Sequence, residues 1–138
     1  MIFDLNLLSV FLAATAAMVV GMAWYSPLLF AKPWMRLSGM AIGEIPDAKK
    51  KGMVKTYAPA FVNCLLMASG LGYLLNLSGV VEIREAMILV AVAWLAFVAP
   101  VLLSSVLWER KPFALYLINV GYYLVSFLLM GAILTVLV

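Results

Sequence analysis

The sequence predicts an all-α integral membrane fold of four transmembrane helices, arranged as two tandem helical hairpins with both termini outside (N-out/C-out). Three observations predict it. The 138 residues are 67% hydrophobic and only 11% charged, where a soluble domain carries about 25% charge. With so few polar groups the chain cannot cover its own surface for water, so lipid is the missing solvent. The apolar residues also fall into long runs, at approximately 5–30, 53–77, 86–108 and 113–138. Each exceeds the roughly 20 residues that a tilted helix needs to span a bilayer. Finally, the basic residues alternate from loop to loop. Lys32, Arg36, Lys49, Lys50 and Lys51 lie between the first two runs with Lys55 just inside the second, Arg110 and Lys111 lie between the last two, and only Arg84 lies between the second and third. The positive-inside rule places loops 31–52 and 109–112 in the cytoplasm and both termini in the periplasm. All 138 residues then form a single transmembrane domain, and the net charge of +3 is a topogenic signal with no call for nucleic acid.

The first run is read as a retained span. Small residues in AATAA resemble a cleavage site, but the leading segment holds Asp4 and no Lys or Arg, whereas a signal peptide starts basic. Ala13, Ala17 and Gly21 fall four residues apart, a smooth stripe against which another helix can pack closely or a second copy associate. The run ends in GMAWYSPLLFAKPW, from Gly21 to Trp34. Trp24 and Tyr25 fall where aromatic side chains anchor at an interface, and Pro27 weakens the last turn. Lys32, reaching the headgroups beside Trp34, and the cluster Lys49, Lys50 and Lys51 are candidates for contact with anionic lipid. Two readings of this stretch stand: an aromatic belt with a helix stop, or a vestibule in which Trp24, Tyr25 and Ser26 line a polar space between helices.

The loop that follows is loosely amphipathic, and Gly39 and Pro46 argue against one continuous helix through it. On the second span Pro59, Asn63, Met67 and Gly70 share a face, while Ala68 and Gly72 offer a further small-residue contact. Cys64, the single cysteine, has no partner for an intramolecular disulfide and is expected to pack. The third span carries Trp94 and Pro100, and the proline is expected to kink it. Glu109, Arg110 and Lys111 then form a short turn, with Pro112 opening the last helix. On that helix Asn119, Tyr123, Ser126 and Met130 share a face. The stretch KTYAPAFVN from Lys55 echoes KPFALYLIN from Lys111, pairing Asn63 with Asn119. An amide in hydrocarbon is costly unless hydrogen-bonded. The two asparagines therefore either join helices or line a polar cavity, with Trp24, Tyr25, Ser26 and Tyr123 as its other candidate walls.

The chain has no histidine, which removes histidine-ligated haem, the usual zinc sites and Ser-His-Asp catalysis. No Asp, Glu, Lys or Arg lies at mid-span, where ion-coupled pumps place one. No catalytic residue, metal ligand or cofactor is predicted. The expected protein is not an enzyme. It is a self-associating or accessory membrane subunit, with an oligomeric transporter or channel for a small neutral solute, at Asn63 and Asn119, as the alternative. Its partners would be the lipid bilayer and either a second copy, a dimer by default, or a larger membrane complex.

GMAWYSPLLFAKPWMRLSG, together with INVGYYLVSFLLMGAIL in the last helix, resembles a family of small bacterial membrane proteins catalogued as domain of unknown function 1761. The resemblance covers essentially the full chain. It implies a four-helix protein of the bacterial inner membrane and brings no activity with it. Trp24, Tyr25, Ser26, Pro27, Phe30, Lys32 and Trp34 match its W-Y-S-P-L-x-F-x-K-x-W pattern.

Overall fold

The computed structural model describes residues 6–25, Pro33 and 44–137, with side chains from Tyr57 onward in the second helix. Among the described residues four helices are long and apolar enough to cross a membrane: α1 (Leu7–Trp24), the stretch Tyr57–Leu77 of α2 (Glu44–Leu77), α3 (Ile83–Leu107) and α4 (Phe113–Val136). Among the described residues there is no strand.

Local chemistry sets the ends of these helices. Asn6 caps α1, its Oδ1 accepting from the N–H groups of Leu8 and Ser9 at 3.1 and 3.4 Å. α1 stops at Trp24, with Tyr25 as its cap, earlier than the expected end at residue 30; residues 26–30 lie outside the described part. α2 begins at Glu44, so the later part of the expected loop 31–52 is already helical. Pro46 falls in the first turn, where a missing N–H costs nothing because it would have no intrahelical partner. Gly79 ends α2 at φ 69°. Its N–H bonds Asn76 O and the Val80 N–H bonds Leu75 O, the double bond of a left-handed helix stop. α3 starts at Ile83, before the expected Ala86, and takes Glu85 into its first turn, where a carboxylate suits the helix dipole.

α3 is interrupted as Trp94 and Pro100 predict. Residues Trp94–Val98 form a π-helical turn, with the Ala99 N–H on Trp94 O, before α-helix resumes over Ala99–Leu107. A proline ring clashes with the carbonyl four residues back in a regular α-helix, and the wider turn makes room for it.

α4 is the hub, packed extensively on α1 and α3 and less so on α2. α2 leans on α1 and barely touches α3. Asn6 Nδ2 donates to Leu137 O at 2.7 Å, tying the start of α1 to the end of α4, while Trp24 meets Ile118 at the other end. α1 and α4 therefore run antiparallel, with the start of α1 and the end of α4 on one side of the bundle. The core mixes small residues, including the fully buried Ala13, Ala14, Ala17 and Ala68, with larger ones such as Leu71, Leu75, Phe127 and Met130. Large apolar side chains such as Phe11, Leu66, Leu95 and Val101 point outward, as they do when hydrocarbon surrounds the fold.

Candidate functional site

The polar side chains within the spans gather around the middle of α4. A tryptophan reaches it from either side. Trp24 of α1 donates its indole N–H to Ile118 O at 2.9 Å, and Trp94 of α3 donates to Val120 O at 2.9 Å. Each indole buries a large apolar ring and leaves no orphan donor in a medium without water. Two glycines let α1 and α4 close reciprocally. A Cβ at Gly121 would lie 3.1 Å from Cζ2 of Trp24, and one at Gly21 would lie 3.2 Å from the Tyr122 ring.

Three tyrosines fill the space that this closure encloses. Tyr25 donates its hydroxyl to Asn119 Oδ1 at 2.7 Å. Its ring lies 5.7 Å from that of Tyr122, which lies 5.0 Å from that of Tyr123. The Tyr122 hydroxyl crosses to α1 and bonds Ala17 O at 3.1 Å, with the Cys64 thiol of α2 and the Ser126 hydroxyl beside it. Ser126 Oγ is fully buried and reaches bonding geometry with none of these neighbours. Farther along, Tyr116 bonds Ala99 O at 2.9 Å, fastening α4 to α3 just after the π turn.

The structure thus brings together Trp24, Tyr25, Asn119 and Tyr123 of the expected cavity, with Tyr122 at their centre. It leaves Asn63 out. That amide is exposed on α2, and no described residue bonds it. Ala13 and Ala17 are buried against neighbouring helices and Gly21 receives Tyr122, so this stripe serves packing within the chain. Gly72 is buried, whereas Gly70 is exposed and a Cβ there would meet nothing within 4 Å. Ser26, Lys32 and Trp34 lie outside the described residues, as do the side chains of Lys49, Lys50 and Lys51, whose backbone belongs to α2. Cys64 is buried and free, in a packing position as expected.

Two further features are absent from the sequence expectations. A pocket of about 330 Å³ opens where the chain ends meet, lined in part by Asn6, Ser9, Asn76 and Thr135. Asn6 was legible there, since an asparagine immediately before an apolar run is a helix-start signal. An apolar groove of about 450 Å³ runs between Leu12, Val19 and Val20 of α1 and Leu129 and Ile133 of α4.

These features define a class: a small helical membrane protein whose buried polar groups join helix to helix. A family model described as "Protein of unknown function (DUF1761)" matches residues 8–135. The chain belongs to that family. No curated protein and no solved structure matches it.

Proposed function

We propose that this protein is a structural membrane subunit that works by association, with itself or with a larger membrane complex, and not by catalysis. The observation that carries this reading is where the polar side chains are spent. Trp24, Trp94, Tyr25, Asn119, Tyr116 and Tyr122 all bond from one helix to another, whereas the amide of Asn63 faces outward. The interior is committed to holding the bundle together, and the chemistry left over lies on an outer helix face. The residue inventory supports the same view, since a chain without histidine and without mid-span charge lacks the usual acid–base and ion-coupling groups. We place the protein in the bacterial inner membrane as two tandem hairpins, with its basic loops inward and its termini in the periplasm.

An oligomeric channel or facilitator for a small neutral solute is the second reading, favoured by the same unspent amide at Asn63. The bond from Tyr25 to Asn119 weighs against it, because it occupies the acceptor a solute would use. Native mass spectrometry of the protein extracted gently from its own membrane separates the two. A homo-oligomer, or stoichiometric attachment to other membrane subunits, with no retained small molecule is the expected result. A species that keeps a defined polar ligand, and loses it when Asn119 is replaced by Leu, would overturn the structural reading.

A further inference from the structure

The outward face of α2 is unlike those of its neighbours. Elsewhere the exposed positions are mostly bulky and apolar, such as Phe11 and Val19 on α1, Leu95 and Val101 on α3, and Leu117 and Val125 on α4, with Ala96 and Ser104 among the exceptions. Such side chains are at home against acyl chains. On α2 the exposed line reads Pro59, Asn63, Leu66, Gly70, Tyr73 and Leu77, with alternating steps of four and three residues. That is the spacing of a helix–helix seam with a period of 3.5.

Two residues on this line find no counterpart among the described residues. An amide facing hydrocarbon without a partner is costly, and Asn63 sits on the seventh residue of the span Tyr57–Leu77, about 9 Å in from its start. Glycine weakens a helix interior unless something needs the space its missing Cβ leaves, yet no described residue lies within 4 Å of where a Cβ on Gly70 would be. The two lie seven residues apart on one line, an amide that wants a partner and a notch that admits one. α2 touches α3 only marginally, and among the described residues nothing bonds Asn63.

We propose that this line is the seam of a parallel homodimer in which α2 packs against α2 of a second copy. The inference rests on reading the protein as an association module, and it names the face and the partner. The argument for a second copy is self-complementarity. Copies of one chain insert with one orientation, so a twofold axis along the membrane normal brings identical residues face to face. An amide is donor and acceptor at once, so Asn63 pairs reciprocally with its own counterpart, as a single asparagine on such a seam does when it sets register. Gly70 against Gly70 lets the two backbones approach, which is how membrane helices gain packing. No charged residue lies between Pro59 and Leu77, so nothing repels at the axis.

Disulfide cross-linking in the native membrane tests this. The full chain carries Cys64→Ala to remove its own thiol, and then either Leu66→Cys on the seam or Leu95→Cys on α3, followed by oxidation. The expected product is a species of twice the chain mass from Leu66→Cys and none from Leu95→Cys. Adding Gly70→Ile abolishes it, and because the site has open space within the chain, far-ultraviolet circular dichroism stays unchanged. In detergent dilution, Asn63→Leu raises the dimer dissociation constant by about threefold to twentyfold, the range of interhelical hydrogen bonds in membranes. Equal cross-linking at both positions, or a dimer indifferent to Gly70→Ile, overturns the seam. Adducts only to other proteins overturn the second copy while leaving the association reading standing. A monomer that cross-links to nothing from either face sinks both.

Discussion

Gly21 and Gly121 show at the scale of single residues how α1 and α4 come so close, each giving up a Cβ to the other helix's aromatic ring. Gly121→Ala places a methyl group against the Trp24 indole, which is held by its bond to Ile118 O and has little freedom to move. Overpacking of this kind costs about 1–3 kcal/mol, and denaturant titration in micelles should show that loss. In a Trp24→Phe background, where the distant indole ring is gone, the same substitution should cost distinctly less. An additive result would place the strain elsewhere. The bond from Tyr25 to Asn119 invites the same treatment. Tyr25→Phe and Asn119→Leu should each destabilise the bundle, and the double variant should be less damaged than their sum, with a coupling of about 0.6–1.7 kcal/mol. Coupling indistinguishable from zero would show the contact to be incidental. Asn119, Tyr25, Trp24 and Tyr123 could be found in the sequence because a polar or aromatic residue inside an apolar run needs an explanation. Asn63 called for the same explanation, but spacing shows only which residues share a face and not what that face meets.

For whole elements, hydropathy predicts the spans well and their ends poorly. A run of apolar residues marks where lipid can surround a helix, whereas caps mark where the helix starts and stops, and these are different chemistries. Asn6 starts α1 at Leu7 and Glu82 precedes an α3 that starts at Ile83, each a few residues from where hydropathy placed it, whereas the Gly79 stop ends α2 at Leu77, where hydropathy put it. The π turn over Trp94–Val98 is a further case: Pro100 announces an interruption, but not that the helix widens to absorb it. If the turn exists to accommodate the proline ring, Pro100→Ala should let α3 close into regular α-helix. Everything after the turn would then rotate by about 100°, one residue's worth of helix, and Ala99 O would leave the Tyr116 hydroxyl that it now holds at 2.9 Å. Tyr116→Phe should therefore be destabilising in the natural chain and nearly neutral in the Pro100→Ala background. Equal costs in both would mean that the π turn is held by its contacts with α4, chiefly the bond from Trp94 to Val120, and not by the proline.

For the molecule as a whole, the bundle is asymmetric in a way that the internal echo does not suggest. A duplication with a twofold axis along the membrane normal would pack α1 on α4 as closely as α3 on α2. The first of these contacts is extensive and the second marginal, which leaves α2 as the flank available to a partner. Orientation is the remaining property at this scale, and here sequence and geometry make separate demands. The bond from Asn6 to Leu137 O puts the first helix's start and the last helix's end on one side, so the two chain ends must be found together whichever way the protein inserts. The basic residues, eight in loops 31–52 and 109–112 and at the start of the second span against Arg84 alone on the other side, decide which side that is. Alkaline phosphatase, which folds only outside the cytoplasm, fused after Val138 should be active, and fused after Lys111 it should be inactive. The reverse pair of results would leave the bundle intact and show that something stronger than loop charge orients it. Activity at neither site or at both would mean that α4 does not cross the membrane, since the two fusion points flank that helix.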